Sequence, residues 1–208
     1  MNRSVTCATV IVLGQLFSAC GAGVPHRIAD EQMAPEWGGQ AYSDLLIIAA
    51  YNDRSYRVSA ETQFAEELKQ RGVTATPSYN SIPQLSSLES NSEIAEMLAS
   101  TNHDGVLVVA TLDEGYDYDY EDYLETRGMV YLLGGTPGAG TDMGSFISWA
   151  GSGQYSLYVG LWDAKSQQPV WQISTHSETS GSESEDTKAL AEFVVNALRE
   201  KGLLDAKQ

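Results

Sequence analysis

The chain has 208 residues, and its 28 Asp+Glu against 12 Lys+Arg give a formal net charge of −16 at pH 7. An acidic excess of this size repels phosphate backbones and anionic headgroups, which argues against a nucleic acid partner and against a polybasic contact with lipid. The two cysteines, Cys7 and Cys20, are too few for a cysteine-rich metal centre or a disulfide framework.

The start of the chain has the features of an export signal. Arg3 supplies a short basic start, and the apolar run over residues 5–17 is too short to cross a bilayer, which needs about 20 apolar residues. The stretch Leu16-Phe17-Ser18-Ala19-Cys20 then resembles a bacterial lipobox, whose cysteine receives a diacylglycerol before the signal is removed. We therefore expect residues 1–19 to be a lipoprotein signal peptide and Cys20 to be the lipidation site. The alternative is ordinary cleavage near Gly21, which releases a soluble periplasmic protein.

Lipidation would decide where the protein works. Cys7 leaves with the signal, and Cys20 as a thioether can form no disulfide and hold no metal. Proteins with such a motif carry three acyl chains, palmitate among them, and two or more chains anchor a protein stably. An inner-membrane lipoprotein usually carries Asp where this chain has Gly21. The resemblance therefore implies the inner leaflet of the outer membrane, with the domain facing the periplasm.

The residues after Cys20 separate the anchor from the folded part. Residues 20–43 show no sustained helical or strand period and contain repeated Gly and Pro, so they are predicted to be a flexible tether. A flexible chain of this length spans about 25–30 Å root-mean-square. Residues 44–205 are predicted to form one α/β domain, with an acidic, Tyr-rich and Gly-rich insertion at about 113–153.

The first half of this domain alternates strands and helices. Residues 45–50 and 106–110 are continuous apolar runs typical of strands buried on both faces, and residues 73–79 predict a weaker strand at an edge because of Pro77. Helices are predicted over 55–71 and from a capping box at Ser90 to about residue 100. This βαβαβ order indicates right-handed crossovers and a parallel core.

The second half changes pattern. Strands at 155–162 and 170–176 predict an antiparallel hairpin, with Trp162 and Trp171 packed on a sheet face. A final helix begins near Ser182, and its core stripe is predicted to include Leu190, Phe193 and Val194. The fold class is therefore α/β, a parallel core followed by an antiparallel hairpin and a C-terminal helix, in a two-layer or three-layer sandwich.

These elements resemble a group of envelope lipoproteins. The resemblance is carried by three stretches: Gln70-Arg71-Gly72-Val73, Asp104-Gly105-Val106-Leu107-Val108, and Leu161-Trp162-Asp163-Ala164-Lys165 with Pro169-Val170-Trp171. In architecture the chain looks like the amino-terminal domain of TolB, the curli-secretion lipoprotein CsgG and the penicillin-binding-protein activator LpoB. The resemblance implies a small α/β domain used for protein contacts in the periplasm.

Two stretches invite a sharper chemical interpretation. The glycine-rich residues 134–141 lack the lysine of a phosphate-binding loop, and Asp142 follows them, so no nucleotide is expected. The acidic segment 113–125 alternates tyrosine with carboxylate, which is typical of a charged edge ribbon and of a surface that contacts a basic protein partner. Calcium binding is the alternative for this segment, although the spacing of the helix-loop-helix calcium loop fails.

Catalytic motifs are otherwise lacking in the sequence. His26, His103 and His176 have no companion at metal-ligand spacing, and Ser152 lacks the spacing of a hydrolase elbow. No cofactor or catalytic residue is predicted. The expected function is a non-enzymatic, lipid-anchored interaction or assembly module of the envelope. The alternatives are a small-ligand or calcium-binding periplasmic module and a hydrolase.

Overall fold

The computed structural model describes residues 26–51, 53–82, 100, 102–112 and 153–205. Their strands are β1 (His26–Met33), β2 (Asp44–Ala50), β3 (Thr74–Pro77), β4 (Gly105–Leu112), β5 (Gln154–Asp163) and β6 (Pro169–Glu178). The helices are α1 (Arg54–Gln70) and α2 (Glu183–Glu200), with a 3-10 turn at Ser78–Asn80. The six strands form one mixed sheet in the order β1-β6-β5-β4-β2-β3, and the predicted α/β class is confirmed.

The sheet combines a parallel half with an antiparallel half. β2 pairs in parallel with both β3 and β4, as the alternation of strand and helix predicts. β5 pairs antiparallel with β4 and with β6, so the predicted hairpin extends the same sheet. β3 is the edge strand beside β2 and ends at Pro77, whose missing N–H makes it suited to an edge.

The other edge of the sheet corrects the expected tether. His26–Met33, inside the stretch 20–43 predicted to be flexible, form β1 and pair antiparallel with β6. Sequence periodicity missed this strand because its side chains at residues 27–30 are exposed and its backbone pairs on one side only. Glu31 fastens the strand: its carboxylate accepts a hydrogen bond from the indole N–H of the buried Trp171 at 2.7 Å and pairs with Lys201 at 2.6 Å.

Both faces of the central strands are buried, as the continuous apolar runs predict. Leu45 and Ile47 of β2 join a core with α1 and α2, so both described helices cover the same face of the sheet. Leu46 and Ile48, which point to the opposite face, are equally buried. The Trp162 and Trp171 side chains are buried too, in agreement with the structural role predicted for them.

The final helix follows its predicted stripe with one exception. Leu190 and Val194 of α2 are fully buried in the core. Phe193 is half-buried and packs at the margin of that core, against the ring of His26 at a centroid distance of 5.5 Å. The helical period predicted a buried Phe193 because it lies three residues after Leu190, at the edge of the apolar stripe. The extent of its burial depends on the packing of β1.

Short polar motifs close the sheet where the parallel strands begin. The carboxylate of Asp104 accepts hydrogen bonds from the backbone N–H groups of Ser43 at 2.8 Å and Asp44 at 3.0 Å. The Tyr42 hydroxyl donates to Asp163 at 3.2 Å. The Asp104-Gly105 and Trp162-Asp163 stretches that carried the family resemblance therefore lie at structural joints.

Several predictions concern residues outside the described ranges: the helix from Ser90, the acidic segment 113–125 and the glycine-rich residues 134–141.

Candidate functional site

A small cleft lies at the end of the sheet where β2 and β4 terminate, and we call this end the cleft end. β1 begins here at His26, because it runs antiparallel to β6 and pairs His26 with Ser177. Both described helices also begin here, α1 after β2 and α2 after β6. In open α/β sheets the carboxyl ends of the parallel strands are the usual place for a binding site.

The walls of the cleft are aromatic and acidic. It has a volume of about 30 Å³, which is room for one or two water molecules or a small charged group and not for a drug-sized ligand. Among the described residues, no cationic side chain lines it. The lining residues are Tyr51, Tyr56, Tyr155, Leu157, Glu183, Asp186, Thr187 and Leu190.

The two carboxylates of the cleft are held differently. Asp186 is buried, and it accepts hydrogen bonds from the Thr179 hydroxyl and from the Ser180 N–H, the latter at 2.8 Å. Glu183 stands at the exposed start of α2. Burial of its carboxylate raises the pKa of Glu183, as does the charge of nearby Asp53, while a hydrogen bond from the Tyr56 hydroxyl opposes the shift.

The tyrosines of the cleft stay neutral near pH 7. Burial raises the pKa of Tyr51, and the negative charge of Glu183 adds to that shift. Burial raises the pKa of Tyr155 as well, with a contribution from Asp186. Neutral phenols donate hydrogen bonds and present ring faces, so the cleft combines carboxylate acceptors with aromatic walls, a set suited to cations and N–H donors.

A buried ionic network lies close to the ends of β2 and β3. The Glu61 carboxylate accepts from the Arg57 Nε at 2.8 Å, the Ser78 hydroxyl at 2.8 Å, and the N–H groups of Ala49 at 3.1 Å and Tyr79 at 2.8 Å. Because β3 ends at Pro77, this carboxylate serves as the acceptor for the Ala49 N–H beyond the last paired residue. Glu61 is completely buried and its oxygens are occupied, so the network holds the fold and offers no reacting group.

His26 is part of the folded domain at the cleft end. Its Nδ1 is 2.8 Å from the Ser177 hydroxyl, and its ring packs on Phe193 and edge-on against Tyr155. Its Nε2 is buried without a hydrogen-bond partner. Burial lowers the pKa of His26, and the negative charge of Asp186 partly opposes this shift. The expectation that His26 lies in a flexible tether is therefore wrong.

This environment predicts a pH dependence of stability. In the unfolded chain His26 titrates near pH 6.5, and in the folded domain it titrates lower, so between these values the folded state binds fewer protons. The contribution of His26 to the free energy of unfolding is present above pH 6.5 and is lost as the pH falls below it. Thermal unfolding from pH 7.5 to 5.5 should show a smaller fall in Tm for His26→Gln than for the wild type. The control is His176→Gln, which changes an exposed histidine. If the Tm of His26→Gln falls with pH in parallel with that of the wild type, His26 is not the source of the pH dependence.

The remaining residues considered in the sequence take separate places. His103 pairs with Asp44 at 2.7 Å near the start of β2, and His176 is exposed with its Nδ1 2.9 Å from the Ser156 hydroxyl. Cys20 and Ser152 lie outside the described residues. The tyrosines and acids of the cleft could not be predicted as a site from the sequence, because they come from four separate segments. One feature of the sequence could have indicated the site: Tyr51 directly follows a buried strand, and binding residues often lie there.

No group of three or more His, Cys, Asp or Glu side chains positioned to hold a metal ion occurs in the described ranges. Neither described helix combines the length and apolar character that a membrane-spanning helix needs.

Comparison with known proteins gives similarity to solved structures alone. No protein-family model matches the sequence, and no curated protein matches it significantly. The similar structures include bacterial assemblies and a lipoprotein. Two are dodecamers of PelC from Paraburkholderia phytofirmans, at 16% and 13% identity, covering 87% and 88% of this chain and 99% of theirs, each with a TM-score of 0.43. Another is lipoprotein GNA1162 from Neisseria meningitidis, at 12% identity, covering 76% of this chain and 95% of its own, with a TM-score of 0.37. At such scores no function is transferred from them.

Proposed function

We propose that the chain is a lipoprotein of the bacterial envelope, anchored through acyl chains on Cys20, whose α/β domain is a non-enzymatic protein-interaction or assembly module. The observation that carries this proposal is the short interval between the lipobox cysteine and the domain. β1 begins at His26, six residues after Cys20. Fully extended, six residues span at most about 20–22 Å. The domain therefore works at the membrane surface, held much closer than a tether of two dozen residues would hold it.

The character of the cleft supports an interaction module over an enzyme. Its volume of about 30 Å³ is too small to enclose an organic substrate. Its phenols are neutral near pH 7, so none of them is an activated base. The site proposed for anchoring is the inner leaflet of the outer membrane, and the TolB, CsgG and LpoB group remains the resemblance that fits this role.

Replacing Cys20 with Ser should release the protein from membranes. The variant cannot form the thioether, so we expect no palmitate incorporation and recovery as a precursor or as a soluble periplasmic form. Cys7→Ser, a matched change inside the predicted signal, should incorporate palmitate and fractionate like the wild type. The measurement is palmitate labelling with membrane fractionation. Processed Cys20→Ser that still sediments with membranes would refute the anchor.

The interaction role is tested by crosslinking in intact envelopes. The wild-type lipoprotein should give a discrete crosslinked product with an envelope protein, and the yield should fall when Cys20→Ser removes the domain from the membrane. Wild-type protein that gives no discrete product would count against an interaction module. Thermal unfolding with and without calcium tests the alternative function, for which a calcium-dependent rise in Tm is the expected sign.

A further inference from the structure

The cleft and the attachment point of the anchor lie at the same end of the domain. β1 enters the sheet at His26 beside Ser177, and the Tyr155 ring, which lines the cleft, packs edge-on to His26 at 6.4 Å. Given the reach of about 20–22 Å from Cys20, this end of the sheet is held at the membrane surface. Whatever occupies the cleft must therefore approach close to the bilayer.

The charge of the cleft is only partly compensated. Asp186 has two hydrogen-bond donors of its own, from Thr179 and Ser180. The Glu183 carboxylate accepts a hydrogen bond from the Tyr56 hydroxyl and is repelled by the like charge of Asp53. Neither contact supplies a positive charge, and none of the lining side chains is cationic. An incoming cation would neutralise Glu183 and would sit beside the tyrosine rings, where cation–π contacts add to the attraction.

The size of the cleft selects the kind of cation. A volume of about 30 Å³ admits a compact ammonium group with its last methylenes, and the apolar sides of Leu157 and Leu190 suit those methylenes. A planar guanidinium is larger and less readily accommodated. Metal ions fit less well, because the lining offers two carboxylates only, and no group of three metal-ligating side chains occurs in the described ranges.

We propose that the cleft docks a lysine side chain of a basic segment in a membrane-associated protein partner. This inference rests on the proposed function and names the chemistry of its partner. Glu183 is the principal acceptor of the ammonium, and Tyr51, Tyr56 and Tyr155 form its aromatic walls. A partner segment next to the bilayer has this chemistry available, because lysines are common beside membrane spans and lipid anchors.

The first test uses a defined probe and needs no partner protein. The probe is Nα-acetyl-lysine N-methylamide, whose side-chain ammonium is free. It should produce saturable NMR chemical-shift changes at the cleft tyrosines of the full-length lipoprotein in detergent micelles. The uncharged analogue acetyl-norleucine N-methylamide should bind at least fivefold more weakly. Shifts that fail to saturate, or equal affinity for the two probes, would overturn the inference.

Matched variants locate the effect. Glu183→Gln should weaken binding of the lysine probe about five- to tenfold. Glu185→Gln makes the same change of charge on the same first turn of α2 but outside the cleft, and it should alter affinity less than twofold. Both residues are exposed, so both variants should keep the wild-type Tm. Equal losses in the two variants would show a general effect of charge and would refute a site in the cleft.

Envelope crosslinking separates this inference from the proposed function. The product formed by the wild type should decrease at least fivefold with Glu183→Gln and stay unchanged with Glu185→Gln. If both variants retain the product, the interaction module stands and the cleft is not its contact. If the lysine probe binds as expected while the wild type forms no envelope product, the proposed function fails although the cation site exists.

Discussion

A chain that begins at Ala34 should unfold about 10–30 °C below a chain that begins at His26, or should lose cooperative unfolding altogether. Removal of β1 uncovers the edge of β6 over seven paired positions, and each lost hydrogen bond costs about 0.5–1.5 kcal/mol. It also removes Glu31, which the buried Trp171 and Lys201 contact. A loss of several kcal/mol is a large part of a typical stability of about 5–15 kcal/mol. For a domain of this size each kcal/mol lowers Tm by about 2–4 °C.

The comparison between the two shortened chains is specific to β1. The chain that begins at His26 lacks the signal and residues 20–25 and should unfold like the full-length protein. Circular dichroism melting and size-exclusion chromatography are the measurements, and the chain without β1 is expected to self-associate through its uncovered strand edge. If both shortened chains melt at the same temperature, residues 26–33 contribute nothing to the fold and the tether interpretation is restored for them.

Replacing Arg57 with Ala should lower the free energy of unfolding by about 3–5 kcal/mol, which corresponds to about 6–20 °C in Tm. Arg57 and Glu61 are both almost fully buried, and their atoms Nε and Oε1 are 2.8 Å apart. Without Arg57 the Glu61 carboxylate remains in the interior with neutral donors alone. The Ser78 hydroxyl also loses the hydrogen bond that it accepts from the Arg57 Nη2 at 2.7 Å.

The same helix contains a matched control for this effect. Arg71, which follows the last residue of α1, pairs with the buried Glu67 at 2.7 Å with the same spacing of four residues and donates to Asn196 at 2.9 Å, but its own side chain is 27% exposed. Because the exposed Arg71 can be replaced by water at the Glu67 carboxylate, Arg71→Ala should lower Tm clearly less than Arg57→Ala does. Chemical denaturation of the two variants gives the comparison. Similar losses for Arg57→Ala and Arg71→Ala would mean that burial of the first pair does not matter.

Local sequence pattern predicted most of the regular elements, for reasons that individual residues make clear. The run at residues 45–50 is apolar on both faces, and its strand is buried on both faces. Gly72 and Gly202 follow the two helices with φ of 81° and 71°, a conformation that glycine adopts without strain. The β5–β6 hairpin was visible because its two strands carry alternating and aromatic residues around a polar turn.

The candidate site could not be predicted in the same way. Tyr51 and Tyr56 flank the start of α1, Tyr155 lies on β5, and Glu183 and Asp186 begin α2. Their separation along the chain exceeds the reach of any motif, and their convergence follows from the order of strands in the sheet. The buried pair of Arg57 and Glu61 was equally hidden, since a charged pair at this spacing is usually a solvated face of a helix.

By itself the sequence predicted the export and anchoring signals, because a lipobox depends on neighbouring residues alone. It also determined the α/β class, because strand and helix periods are local. Tertiary structure alone decided that His26–Met33 belong to the domain and that the cleft lies at the end of the sheet where β1 begins. The physical reason is that edge pairing satisfies backbone groups, which carry no sequence signature. The burial of Phe193, Glu61 and Asp186 likewise depends on which elements pack beside them.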